Sequence, residues 1–143
     1  MSVRLVFIEP SPRDVDQATA NVSLIKNARL IRPRDGWYDV HAHGSPTSVV
    51  VFSSVADAKT LARIIKGRQD YHGEPMRLFS CRTGEADESG DCFAQRLAST
   101  MGVEADAPPS ATYINSDGTF WFGDDRTTEF RRLRPGSGDD FRS

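Results

Sequence analysis

Two side chains in this 143-residue chain can do covalent chemistry together, the thiol of Cys81 and the imidazole of His43. Each stands where an apolar run stops. Met76-Arg77-Leu78-Phe79-Ser80 leads into Cys81, with Arg82-Thr83-Gly84 behind it, and Trp37-Tyr38-Asp39-Val40 leads through His41-Ala42 into His43-Gly44. An unassisted thiol, with a pKa of about 8.5, is only a few per cent thiolate at neutral pH. A neighbouring imidazole can take its proton, and can later protonate a leaving group. Gly44 lets a substrate backbone come close, and its N–H could face a developing oxyanion beside that of Cys81. The three residues form a coherent acyl-transfer set if the two runs are neighbouring parallel strands, because ligands bind at the carboxyl ends of strands in open α/β sheets.

The bland reading of each residue stands beside this one. A lone cysteine ending an apolar strand is often core filler, and a histidine fits a turn. Cys92 heads a helix on its apolar side and reads as packing. His72 repeats the His-Gly dipeptide inside a polar loop and reads as a surface residue. His41 reads as facing a neighbouring layer of the fold. Asp39 alternates in step with His41 and His43 and could orient the latter. Cys81 and Cys92 could close one short disulfide loop. His41 and His43, two apart on a strand, could supply two metal ligands, but the three histidines and two cysteines lack the paired spacing of a metal site. No cofactor or metal is called for.

The elements that must position these residues follow from periodicity. Residues 3–8 read as a strand closed by Pro10 and Pro12. From Asp14, Val15, Ala18, Val22 and Ile25 step by three or four, as on an amphipathic helix, with Asn21 and Ser23 out of keeping. Residues 28–32 suggest a further short strand. After the His-Gly strand, Ser48–Phe52 should pair antiparallel with it. Ser54 and Asp57 approximate a capping box for a helix whose face is Val55, Ala58, Leu61, Ala62 and Ile65 and which stops at Gly67. Residues 85–90 read as an exposed, mobile loop. Asp91 or Ser89 can cap a second helix with Phe93, Ala94, Leu97, Ala98 and Met101 inside and Gly102 as its stop. A strand over 103–107 follows, then a hairpin around Asn115-Ser116-Asp117-Gly118. Strand, helix, strand, helix, strand implies right-handed crossovers and a small, mostly parallel sheet flanked by helices. Residues 1–135 form one α/β domain with a C-terminal β-hairpin, and 136–143 a flexible tail.

Composition narrows the function. With 38% hydrophobic and 27% charged residues the chain reads as a soluble domain, and no apolar run approaches the length of a membrane span. A formal charge of -2 offers no field for nucleic acid. Arg126, Arg131, Arg132 and Arg134, mixed with Asp124, Asp125 and Glu129, read as a solvated mixed-charge face. The first residues lack a secretory signal, so export would need a specialised system.

Val40-His41-Ala42-His43-Gly44, the helix with Leu61 and Ile65, and Met76–Cys81 together resemble the caspase-type (clan CD) cysteine peptidases. Those enzymes have one apolar strand ending in His-Gly and another ending in Cys. The likeness extends over roughly residues 36–122 to the autoprocessing peptidase domains of large bacterial toxins, through Phe93-Ala94-Gln95-Arg96-Leu97 and the strand and hairpin after it. Arg77–Pro108 also resembles small C-terminal domains of polydomain toxins. The resemblance implies a caspase-like fold, Cys81 as nucleophile, His43 as general base and acid, and Gly44 at the oxyanion. It further implies a protein or peptide substrate, which could be the rest of a larger toxin polypeptide. Two other readings stay open. One is a silent binding module on the same scaffold, presenting Tyr113, Phe120, Trp121 and Phe122. The other is a different Cys-dependent hydrolase or transferase, such as a deamidase.

Overall fold

The structure is a computed structural model that describes residues 3–8, 15–52 and 54–136. Its centre is a five-stranded sheet. Strands β1 (Val3–Val6), β2 (Tyr38–His41), β6 (Met76–Phe79) and β7 (Ala105–Ala107) run parallel in that order, and β10 (Arg131–Leu133) closes the far edge antiparallel to β7. β2 and β6 are buried along their whole length, so the polar residues that alternate with their apolar ones are buried as well.

The two faces of the sheet carry different chemistry. Leu5, Phe7, Tyr38, Val40, Met76, Leu78, Ala105 and Leu133 meet α2 (Ala58–Lys66) and α3 (Phe93–Met101) in the main core. Burying a side chain such as Leu61 or Leu97 there is worth about 1.5–3 kcal/mol. The alternate positions are polar or aromatic. Asp39 and Arg77, partners in the β2–β6 register, form a buried bidentate ion pair at 2.7 and 2.9 Å. Asp106 accepts from both Arg34 and Arg132. Phe79 is covered by Phe120 and Phe130 at 5.1 and 5.5 Å. On this side also lies the turn that follows α1 (Val15–Ala28), where the Arg4 guanidinium donates to the carbonyls of Arg29 and Ile31.

A small second sheet grows from the first. At Ala42 the chain leaves β2, and β3 (His43–Gly44) pairs antiparallel with β4 (Val49–Val51), which pairs with β5 (Ser54–Ala56). β8 (Thr112–Ile114) and β9 (Phe120–Phe122) form the hairpin. A small α/β domain with a mostly parallel main sheet therefore matches the sequence reading, as do the helix stops at Gly67 and Gly102 and the hairpin; the antiparallel partner of β4 is His43–Gly44 in a separate sheet rather than the strand over 37–42.

Other expectations are corrected. Residues 28–32 are not a strand; α1 runs to Ala28, and Leu30 and Ile31 donate back to Asn27 and Ala28 in a last turn. The inward positions of α1 include Asn21 and Ala28, while Val22 is 54% exposed. The capping box fails because residues 54–56 pair as a strand and Val55 points outward; Asp57 is the cap, accepting from Thr60 N–H at 2.9 Å. Cys92, rather than Asp91 or Ser89, is the N-cap of α3. The late basic residues are not one solvated face, since Arg131–Leu133 is a strand with Leu133 buried and Arg132 bound to Asp106. Of the hairpin aromatics, Phe122 is buried and Phe120 packs on Phe79, leaving Tyr113 stacked on Trp121 outside. Proline stops at Pro10 and Pro12 and most of the 136–143 tail lie outside the described residues.

His41 is wholly buried, stacked on Phe79 at 4.7 Å, with Arg4 and Arg77 nearby. Burial first, then those two cations, push its pKa down from 6.5 to about 3. Its neutral form belongs to the fold and its protonated form to the unfolded chain, so stability is complete above pH 6.5 and falls as pH drops toward 3. The slope is about 1.4 kcal/mol per pH unit. Denaturation midpoints between pH 6.5 and 4.5 should therefore decline, and His41→Leu should flatten the decline. An unchanged profile would contradict a neutral buried ring.

Candidate functional site

The β2–β6 ladder pairs His41 with Phe79. Two residues beyond that couple, past the ends of both strands, stand His43 in β3 and Cys81 in the turn after β6, so parallel pairing carries the two chain segments to the same end of the sheet. The chain holds this end tightly. A Cβ placed on Gly44 would lie 2.9 Å from Ser80 Cβ and Thr83 Cγ2 and 3.0 Å from the Cys81 carbonyl oxygen. Only hydrogen fits between the His-Gly strand and the cysteine turn.

That turn is built for Cys81. Thr83 donates to the Ser80 carbonyl through its N–H at 3.3 Å and its hydroxyl at 2.9 Å. Arg82 sits at φ +63°, a region that costs a non-glycine residue roughly 1–2 kcal/mol, and its N–H is held by the Ser110 carbonyl at 3.0 Å. Cys81, half-buried and unpaired with Cys92, is at the corner, its Sγ accepting from Thr112 N–H at 3.3 Å. Cys92 lies in the core, where burial pushes its thiol pKa up.

The start of α3 ties both loops together. Phe93 N–H donates to the Pro46 carbonyl at 2.8 Å and Ala94 N–H to the Thr83 carbonyl at 3.0 Å. Helix N-termini carry unsatisfied donors, and these two are spent on the segments that follow His43 and Cys81. This also explains why Cys92 can cap without a side-chain hydrogen bond.

His43 is half-buried, and its Nε2 lies 3.0 Å from Asn21 Oδ1. A carbonyl oxygen only accepts, so the ring proton belongs on Nε2 and the lone pair on Nδ1. Asn21 is 4% exposed. Its role was missed in the sequence, where it read as a flaw in the apolar stripe; a polar residue in a helix otherwise stepping correctly was the available signal. Asp39 does not serve His43, since both its oxygens are taken by Arg77. Ser45 N–H donates to the Ser48 carbonyl, so the next pair, Gly44 with Val49, falls at a non-bonded position of the ladder. The Gly44 N–H is thereby turned away from β4. His72 is exposed on its loop. Among the described residues no group of three or more His, Cys, Asp or Glu side chains gathers as for a metal ion.

A single methyl group tests this end of the sheet. Gly44 needs no left-handed backbone, so Gly44→Ala acts through crowding alone. It should cost about 1–3 kcal/mol of stability and, by pushing the His-Gly strand off the cysteine turn, on the order of 10²-fold in any turnover that uses both segments. Full turnover in the variant would show that the close approach is irrelevant to function.

The chain belongs to a family described as a domain of unknown function, DUF8616, whose model matches residues 11–122. The matched stretch contains Asn21, His43, Gly44, Cys81 and Thr112. No curated protein and no solved structure matches it.

Proposed function

We propose that this domain is a caspase-type cysteine peptidase with His43 and Cys81 as its dyad. The observation that carries the reading is the matched register: imidazole and thiol each stand two positions past one paired couple of adjacent parallel strands, with Gly44 against the Cys81 carbonyl. His43 Nδ1 takes the thiol proton as Sγ attacks a peptide carbonyl carbon. Negative charge collects on the carbonyl oxygen, toward which the N–H groups of Gly44 and Cys81 are assigned. The C–N bond breaks, the proton on His43 passes to the leaving amine, and water then cleaves the thioester to return the free thiol. Asn21 keeps the ring in the tautomer this sequence of transfers needs. By its resemblance to toxin domains, the substrate is the domain's own polypeptide or a protein of a target cell.

Incubating the purified protein with a cell proteome and sequencing new N-termini tests the proposal. New termini that appear with time and vanish with a thiol alkylator support it. A mass gain of one dalton on substrate amides with no new termini would replace it by deamidation. Neither change, in the protein or in a longer polypeptide containing it, would leave the silent binding module.

A further inference from the structure

Among the described residues, five large apolar side chains are exposed, and three of them, Val22, Leu30 and Phe52, lie against β1 or the residues just past it. Val22 and Leu30, 54% and 52% exposed, flank it on the α1 side. Phe52 and Val55, 51% and 75% exposed, belong to the β4–β5 hairpin, which is tied to the end of β1 by Phe52 N–H on the Phe7 carbonyl and by an edge-on ring contact at 5.9 Å.

β1 is the outermost strand of the sheet. Phe7 N–H donates to the His41 carbonyl, so odd-numbered residues turn their backbone groups toward β2. Alternation turns those of Arg4 and Val6 outward, where no described strand meets them. Beside this open edge lies a groove of about 590 Å³ between β1 and α1, lined by Val6, Ile8, Val22, Ile25 and Leu30. Its charged lining is Lys26 and Arg29, and no acidic side chain lines it among the described residues.

An unpaired backbone edge selects an extended segment, an apolar groove beside it selects alternate apolar side chains, and a basic rim selects acidic flanks. We propose that β1 and this groove take up an extended segment of a partner protein as one further strand, with alternating apolar residues in the groove and acidic residues against Lys26 and Arg29. A second copy of this chain fits less well, because two-fold pairing of β1 edges would bring one basic rim onto another. The inference goes beyond the peptidase reading and does not depend on the dyad.

Fluorescence anisotropy on the Cys81→Ala protein, in which cleavage cannot mimic binding, tests it. The probe is a labelled peptide of alternating valine and threonine with aspartate at each end. Controls carry lysine ends or a central proline. Saturable binding of the aspartate peptide is expected, weakened about tenfold or more by either control and by the exposed-site variant Val22→Asp/Leu30→Asp. Lys26→Glu/Arg29→Glu should invert the preference between end charges. Three results would overturn the proposal: no saturable binding, indifference to the proline or to the end charges, or a concentration-dependent dimer in light scattering that Val22→Asp/Leu30→Asp dissolves.

Discussion

Cys81→Ala is expected to lower substrate cleavage by at least about 10³-fold while the protein stays folded. The side chain is half-buried, and the polar contacts it loses are both with Thr112, whose N–H donates to Sγ at 3.3 Å and whose carbonyl accepts weakly from the thiol at 4.0 Å. Removing those contacts costs stability on the order of 1 kcal/mol. The neighbouring restraints do not pass through the side chain: Thr83 on the Ser80 carbonyl, Arg82 on Ser110 and Ala94 on Thr83 are made by other groups. A large activity loss with a nearly unchanged unfolding midpoint would therefore isolate chemistry from architecture. His43→Ala should produce a comparable loss, and the double variant should lose little more than either single one, because base and nucleophile act as a unit. Alkylation supplies an independent reading: Cys81 should label well before the buried Cys92, whose thiol burial holds above its ordinary pKa. Cleavage persisting in Cys81→Ala, or equal labelling of the two thiols in the native protein, would remove the nucleophile from the proposal.

The largest loss of stability is expected at Arg77. Its guanidinium is 5% exposed and is engaged by both oxygens of Asp39, itself 1% exposed, and by the Arg32 carbonyl. It also lies over the Phe79 ring at 4.8 Å. Arg77→Ala strands the Asp39 carboxylate in the sheet without its cation, and breaking a buried pair in this way costs about 3–5 kcal/mol. That is a large share of the 5–15 kcal/mol that holds a typical domain together. Asp39→Leu/Arg77→Leu removes both charges and should recover much of the loss, which a denaturant-based double-mutant cycle reads directly. The pair joins the strands that end near His43 and Cys81, at paired positions in their ladder. Arg77→Ala should accordingly impair turnover at temperatures where the protein is still folded. If the double-leucine variant were as unstable as Arg77→Ala, the cost would lie in packing over Phe79 rather than in the orphaned charge.

Local pattern and tertiary placement divided the information unevenly. The amino-acid sequence by itself determined where β2 and β6 stop, the inward faces of α2 and α3, the glycine stops of those helices and the hairpin around Gly118, because apolar spacing and turn residues act within a few positions of themselves. It thereby also singled out His43, Gly44 and Cys81, each at the polar end of an apolar run. Only the tertiary structure decided which residues serve them. Asn21 spoils a helical stripe when read along the chain, and becomes intelligible once α1 lies against His43. Asp39 looks like a partner for His43 by alternation, yet Arg77, 38 positions away, takes it first because β6 is its neighbour in the sheet. Ser54 could cap a helix by composition, but pairing with Val51 makes it a strand residue and moves the cap to Asp57. β10 was hidden in a run of arginines, since its burial depends on β7 and on Asp106 rather than on any alternation of its own. Residue types reveal what a chain can do within one turn or one strand; partners that come from other elements are chosen by packing, and packing is a property of the whole fold.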